Sequence, residues 1–150
     1  MSVTVGIRRE DKNEWERRVP LVPADVVTLA ADHDLEFLVQ PSPIRVFKDD
    51  EYAAAGATVT EDLSPAKVVL AVKEIPLTEL RPDRTYLYFS HVVKGQPYNM
   101  PMLQHLLDTG ATLIDYEKIA DEQNRRLIFF SIHAGYAGMI ESLVCLGQRL

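Results

Sequence analysis

Two runs in the middle of the chain limit its fold more than any other feature. Ala66-Lys67-Val68-Val69-Leu70-Ala71-Val72 and Thr85-Tyr86-Leu87-Tyr88-Phe89-Ser90 are short, largely apolar and rich in β-branched or aromatic residues. Neither alternates apolar and polar side chains as a half-solvated strand does. They read as strands buried on both faces, the situation of a parallel sheet. The first run hands over to Lys73 and the second to His91, and each of these side chains can carry a proton. Ligands of open parallel α/β sheets sit beyond the carboxyl ends of the strands. Both residues are therefore candidate chemical groups, although a lysine standing alone past a strand is more commonly a solvated charge.

The rest of the chain supplies partners for these strands. Residues 3–7 read as a first strand, followed by Arg8, Arg9, Glu10 and a polar loop through Arg18. Pro23 opens a helix at its first position, with Val26, Val27, Leu29 and Ala30 as its stripe, although Val22 is a poor N-cap. A second strand is expected at 36–39, a short helix capped by Asp49 or Asp50 and ending near Gly56, and a small strand at 57–59. Pro97 and Pro101 bracket the start of a helix whose apolar face is Met102, Leu103, Leu106 and Leu107 and whose stop is Gly110. Strands at 112–114 and 127–130 precede a long helix from about His133 to Leu150, in which Gly135 and Gly138 would admit another backbone. This alternation predicts one α/β domain over residues 1–150, a Rossmann-like three-layer sandwich with a mainly parallel sheet.

Composition narrows the function. A net charge of −6 with no basic patch argues against a nucleic-acid partner. The lone Cys145 lies in apolar helical sequence and reads as a core thiol of a reducing compartment. His33, His91, His105 and His133 are too scattered for a metal cluster. Neither a targeting segment nor an apolar run of membrane-spanning length is visible, so the expectation is a cytoplasmic protein with no membrane partner. No Gly-x-Gly-x-x-Gly follows any strand. The turn that cradles a pyrophosphate is missing, and the domain is expected to hold the substrate side of a site.

Several motifs in order carry a resemblance. Gly6-Ile7-Arg8-Arg9-Glu10, Trp15-Glu16-Arg17-Arg18-Val19-Pro20-Leu21, Val72-Lys73-Glu74, Phe89-Ser90-His91-Val92-Val93-Lys94 and Leu113-Ile114-Asp115-Tyr116-Glu117-Lys118 resemble the lysine-ketoglutarate reductase family. That family comprises the lysine-forming saccharopine dehydrogenases and the reductase half of the aminoadipic semialdehyde synthases. A wider likeness reaches the amino-terminal domain of alanine dehydrogenase and pyridine nucleotide transhydrogenase, through Arg18-Val19, Pro23-Ala24 and Lys73-Glu74.

The resemblance implies a reaction in which the ε-amine of lysine condenses with 2-oxoglutarate and the imine is reduced from NADPH or NADH. It implies Lys73 and His91 as the acid-base pair, Arg18 as the ligand of a substrate carboxylate, and Glu74 and Glu117 as carboxylates that tune the pair. By residue type alone, Glu16-Arg17-Arg18 would read as a solvated charge run, and Glu74 and Glu117 as ion-pair partners of Lys73 or Arg18. Members of the family carry a second, cofactor-binding domain. The chain is expected to need that domain from elsewhere, as a separate subunit or as the rest of a longer enzyme, and to form a homo-oligomer through its apolar closing helix. Two other readings remain open: an alanine dehydrogenase-like domain, and a non-catalytic module that binds amino acids.

Overall fold

A computed structural model describes residues 2–149. The chain divides into two compact units, Met1–Tyr116 and Glu117–Leu150.

The first unit is built on a six-stranded sheet: β1 Val3–Ile7, β2 Leu35–Val39, β3 Thr58–Val59, β4 Val68–Leu70, β5 Thr85–Tyr88 and β6 Thr112–Asp115, in spatial order β3-β2-β1-β4-β5-β6. Every adjacent pair is parallel, with Val5 opposite both Phe37 and Val68, and Leu70 opposite Leu87. Helices α1 (Pro23–Asp32), α2 (Asp49–Ala54) and α3 (Met100–Thr109) make three of the crossovers. The other two, from β3 to β4 and from β4 to β5, contain no α-helix. This is the Rossmann-like α/β architecture that two-sided burial of the central runs demands.

Because side chains alternate along a strand, the sheet has two apolar faces. On one, Val5, Ile7, Phe37, Val39 and Leu70 meet Val26 of α1 and Tyr52 of α2. On the other, Val69, Tyr86 and Tyr88 meet Met102 and Leu106 of α3 together with Leu63, Ala66, Ile75 and Leu80 from the connecting loops. Gly6 of β1 is part of this second packing. A Cβ there would lie 3.1 Å from the Cβ of Ala66 and 3.3 Å from Leu63 Cδ1, so the 63–66 loop can rest on β1 only where a side chain is missing.

Local signals placed the helices well. Pro23 is the first residue of α1, and Val22, lacking a capping side chain, instead donates its own N–H to Asp25 Oδ2 at 2.9 Å. Gly110 ends α3 at φ 68°. The short helix differs in detail, since Lys48 takes the N-cap position and Glu51 Oε2 accepts its N–H at 2.6 Å. Asp49 is turned to Ser42 N–H and to the Arg45 guanidinium instead.

In the second unit, a 3-10 turn at Tyr116–Lys118 leads to an antiparallel bridge between Ala120 and Arg126. Asp121 closes that bridge by accepting the N–H groups of Gln123 and Arg125. The expected strand at 127–130 does not form: no strand is assigned at these residues, and Leu127, Phe129 and Phe130 are exposed. Helix α4 runs over Ser131–Gly147, two residues earlier than the pattern indicated. Its apolar residues, among them Ile140, Leu143, Val144 and Leu146, are exposed. Cys145 shares that exposure and is not a core residue, because α4 has no buried face. A Cβ on Gly135 or Gly138 would meet no atom within 4 Å, so neither glycine is called for by packing within the chain. Among the described residues no helix is long and apolar enough to cross a membrane.

Candidate functional site

The strand order reverses direction between β1 and β4, and in sheets of this order the crevice outside the strand ends at that point is where ligands bind. Three exits converge there: the loop after β1 carries Glu10, Glu16 and Arg18, the exit of β4 carries Lys73 and Glu74, and the exit of β5, next to β4, carries His91.

Lys73 is fixed through its main chain. β4 stops pairing at Leu70, and Ala71 N–H still reaches Leu87 O at 3.0 Å. The next two amides turn the other way. Glu10 Oε1 accepts Val72 N–H at 2.6 Å and Glu10 Oε2 accepts Lys73 N–H at 3.0 Å. Glu10 is only 7% exposed. Burial pushes its carboxyl above the ordinary range and the Glu16 charge adds to this, while the two amides and Arg8 pull the other way.

Glu16 and Arg18 form one unit beside Lys73. Arg18 Nε donates to Glu16 Oε1 at 2.6 Å, and a second nitrogen of the guanidinium donates to Glu16 Oε2. Burial alone would raise the Glu16 carboxyl, but the Arg18 fork and the charge of Lys73 bring it below its usual range. Glu16 is thus buried, at 6% exposure, and the run Glu16-Arg17-Arg18 is not a solvated one. Arg18 and Lys73 line a common open cavity of about 570 Å³ with Glu16, Arg17, Trp15 and Val46. Trp15, 80% exposed, and the exposed Val46 add apolar surface to the lining of this cavity.

Glu74, the next residue, faces a different cation. Its Oε2 accepts a 2.6 Å bond from Lys12 Nζ, and its Oε1 is buried with no hydrogen-bond partner. Desolvation raises this carboxyl, but Lys12 and, more weakly, His91 hold it below the ordinary value. The expected ion pair of Glu74 with Lys73 or Arg18 is therefore replaced by one with Lys12.

His91 sits in a shaped turn. Its backbone is left-handed, φ 57°, where β-carbon sterics disfavour most residues. The turn is held from below: Ser90 is fully buried, its hydroxyl donates to Asp115 Oδ2 on β6, and its carbonyl accepts Asn99 Nδ2 at 3.0 Å. The imidazole stacks on Phe89, centroids 6.4 Å apart and planes 17° from parallel, and Phe89 meets Tyr116 edge-on at 5.1 Å. Lys94 Nζ lies 3.0 Å from His91 Nδ1. An ammonium offers only donors, so in this contact Lys94 can only donate.

Of the five residues singled out from sequence, the structure puts Lys73 and Arg18 on one cavity and sets Glu74 and His91 within each other's field. Glu117 belongs to the second unit, where Arg126 is 3.7 Å away. Sequence reasoning passed over Glu10, the Ser90–Asp115–Asn99 support and Lys94 as an imidazole partner. No local signal marked Glu10: a carboxylate three residues past a strand is more commonly solvated, and this one is buried because it meets the exit of β4.

Sheet order, two-faced burial and charged strand exits define a Rossmann-like α/β domain of the kind found in dehydrogenases. The chain belongs to the family described as alanine dehydrogenase/PNT, N-terminal domain, which it matches over residues 6–137. Alpha-aminoadipic semialdehyde synthase, mitochondrial, of Bos taurus is 42% identical over 146 residues, covering 97% of this chain and 16% of that protein. The saccharopine dehydrogenase (NAD(+), L-lysine-forming) of Yarrowia lipolytica is 31% identical over 141 residues, covering 91% of this chain and 38% of that protein. An L-alanine dehydrogenase structure superposes with a TM-score of 0.69 at 25% identity, over 81% of this chain and 34% of that one. Both levels of resemblance drawn from the motifs therefore stand. The chain spans well under half the length of each of these relatives.

Proposed function

We propose that this chain is the substrate-side, acid-base domain of a nicotinamide-dependent oxidoreductase that condenses lysine with 2-oxoglutarate. The observation that carries this reading is the common cavity of Lys73 and Arg18 at the point where the strand order reverses. Arg18, already oriented by Glu16, presents a planar cation to a carboxylate of the oxo acid. Lys73 takes the proton that the substrate ammonium must lose before it attacks, and His91 delivers a proton as water leaves the carbinolamine. Glu74 sets the charge around that pair, within the field of His91. The names of the relatives support an oxidoreductase, two of them with lysine or aminoadipate chemistry.

NADPH or NADH is assigned to a domain outside this chain. The residues after β1 do not fit a dinucleotide: where a pyrophosphate would need small residues and open N–H groups, Glu10 and Glu16 place two buried carboxylates. No step of the acid-base chemistry above runs through the cofactor. A homo-oligomer and a cytoplasmic location belong to the same proposal.

The test is complementation. The isolated chain should neither bind reduced cofactor nor form saccharopine; with a cofactor-binding domain supplied in trans or by fusion it should turn over. Lys73→Met and His91→Gln should then each lower the rate by about two orders of magnitude, the size of a lost general acid or base. Normal turnover by both variants would make this a binding module. The likeness to an L-alanine dehydrogenase structure favours a second reading, in which pyruvate and ammonia replace 2-oxoglutarate and lysine, and the same complemented protein assayed with both pairs decides between them.

A further inference from the structure

We propose that Glu10 is the positioning residue for Lys73, a role that rests on the reading of Lys73 as a group of the site. Its carboxylate takes the N–H groups of two consecutive residues, Val72 at 2.6 Å and Lys73 at 3.0 Å, across the gap between the exits of β1 and β4. Both amides lie past the end of the β4 ladder, so without Glu10 they would be buried or half-buried donors with no acceptor from the sheet. Two simultaneous bonds fix the direction in which the main chain leaves the strand, and hence the direction in which the Lys73 side chain starts toward the cavity.

Structural need alone does not account for a carboxylate. A buried anion is costly, and a chain that only had to tie two loops together could do so with a neutral group or a backbone carbonyl. What a carboxylate adds is a pair of equivalent acceptor oxygens in one plane, one for each of the two amides. The charged groups that act on it are Arg8, Glu16 and Arg18, and the Tyr116 phenol at the end of β6 feels its charge. Glu10 therefore sets the direction in which the Lys73 side chain leaves the strand. The carboxylate whose charge is coupled to Lys73 is Glu16, already bound to Arg18. The carboxyl of Glu10 is itself pushed upward by burial, as expected for an anion held where the fold requires it and not where water would stabilise it.

The experiment is residue-resolved reductive methylation of the lysines of the full chain, read by mass spectrometry, in wild type and in Glu10→Gln and Glu10→Asp. The exposed Lys67 at the start of the same strand serves as the internal reference. Glutamine keeps the shape and one acceptor; aspartate keeps the charge but is one methylene short of the two amides. Glu10→Gln should raise the modification rate of Lys73 by at least about threefold over Lys67, since an amine whose main chain is released is more accessible. Glu10→Asp should raise it as well, because the direction is lost. Hydrogen exchange should lose at least about tenfold protection at the Val72 or Lys73 amide, the size of one lost bond to a charged acceptor. A Lys73 rate unchanged in folded variants, judged by their thermal melts, overturns the proposal. If neither variant folds, the wild type still decides: Val72 and Lys73 amides exchanging as fast as in an unstructured peptide would overturn it, and strong protection would support it. Adding 2-oxoglutarate to the wild type separates this proposal from the one it rests on. Failure of the oxo acid to shield Lys73 sinks the substrate reading, while the comparison between Glu10 variants continues to decide what orients the amine.

Discussion

Replacing Arg18 with lysine tests the substrate side of the site with the least disturbance of charge. In the wild type, Arg18 donates through Nε and a second nitrogen to the two oxygens of Glu16, which fixes the plane of the guanidinium before any ligand arrives. Lysine keeps the positive charge but offers a single tetrahedral point, so it can serve Glu16 or a substrate carboxylate well, not both in one plane. The loss is about one charge-assisted hydrogen bond, roughly 1.5–3 kcal/mol in a buried setting. With the Arg18 side chain 42% exposed, solvent screening moves this to the bottom of that range. A penalty of about 1.4 kcal/mol is a tenfold weaker Kd for 2-oxoglutarate. Titration calorimetry at fixed ionic strength reads it directly. Because Glu16 orients Arg18, Glu16→Gln should also weaken binding, and the double variant should lose less than the sum of the two. Equal affinity of wild type and Arg18→Lys removes Arg18 from the site; strict additivity removes Glu16 as its guide.

Three further outcomes follow from the packing and the charges. Gly6→Ala should destabilise the chain by about 1–3 kcal/mol in a denaturant melt, since the new methyl would stand 3.1 Å from Ala66 Cβ, which cannot swing aside; an unchanged midpoint would show that the 63–66 loop yields freely. Glu16 and Glu74 are held below their ordinary value of 4.5, so the stability they contribute is present above it and is lost as pH falls through their lower folded values. Glu16→Gln should accordingly flatten the fall of Tm on acidification, and an identical acid limb in the variant would contradict the assigned direction. The exposed apolar residues of α4, Ile140, Leu143, Val144 and Leu146, should drive self-association, so that light scattering gives a mass above the 16.9 kDa of the monomer at micromolar concentration; a monomer throughout that range would mean that some other partner, or none, takes this surface.

What could be read from the sequence divides along physical lines. The sheet was legible because two-sided burial writes itself as unbroken apolar runs, and the runs ending at Val72 and Ser90 did become the exits that carry Lys73 and His91. The run at 127–130 looked the same and failed, because an apolar stretch becomes a strand only if a neighbour offers an edge and a face. Leu127 and Phe129 stay exposed. Cys145 failed for the same reason: helical apolarity predicts a buried face only where something covers it. The charged groups were harder still. Arg17 and Arg18 are adjacent in sequence and identical in type, yet Arg18 is forked onto the buried Glu16 while Arg17 is bonded to Ile44 O. Nothing local distinguishes them, because the difference lies in which residue faces the β4 exit, a fact of topology.

The strand order found here is the one that binds dinucleotides in other α/β proteins, with the crevice between β1 and β4 as the binding place. The crevice is a property of the sheet; what fills it is a property of the turns. A glycine turn after the first strand makes an anion site out of bare N–H groups and a helix end. In this chain that loop is long, α1 does not begin until Pro23, and the residues between contribute Glu10, Glu16 and Arg18. Glu10 also uses up the open N–H groups at the β4 exit. The same reversal of strand order that elsewhere concentrates donors for a phosphate therefore gathers here a carboxylate, an amine and a guanidinium. Such a set repels a pyrophosphate at Glu10 and Glu16 and can still accept a ligand that carries a carboxylate toward Arg18 and a proton toward Lys73. Inserting a short glycine turn in place of the 8–18 loop would consequently abolish binding of the oxo acid without creating cofactor binding, because the Lys73 exit would lose the carboxylate that now holds it.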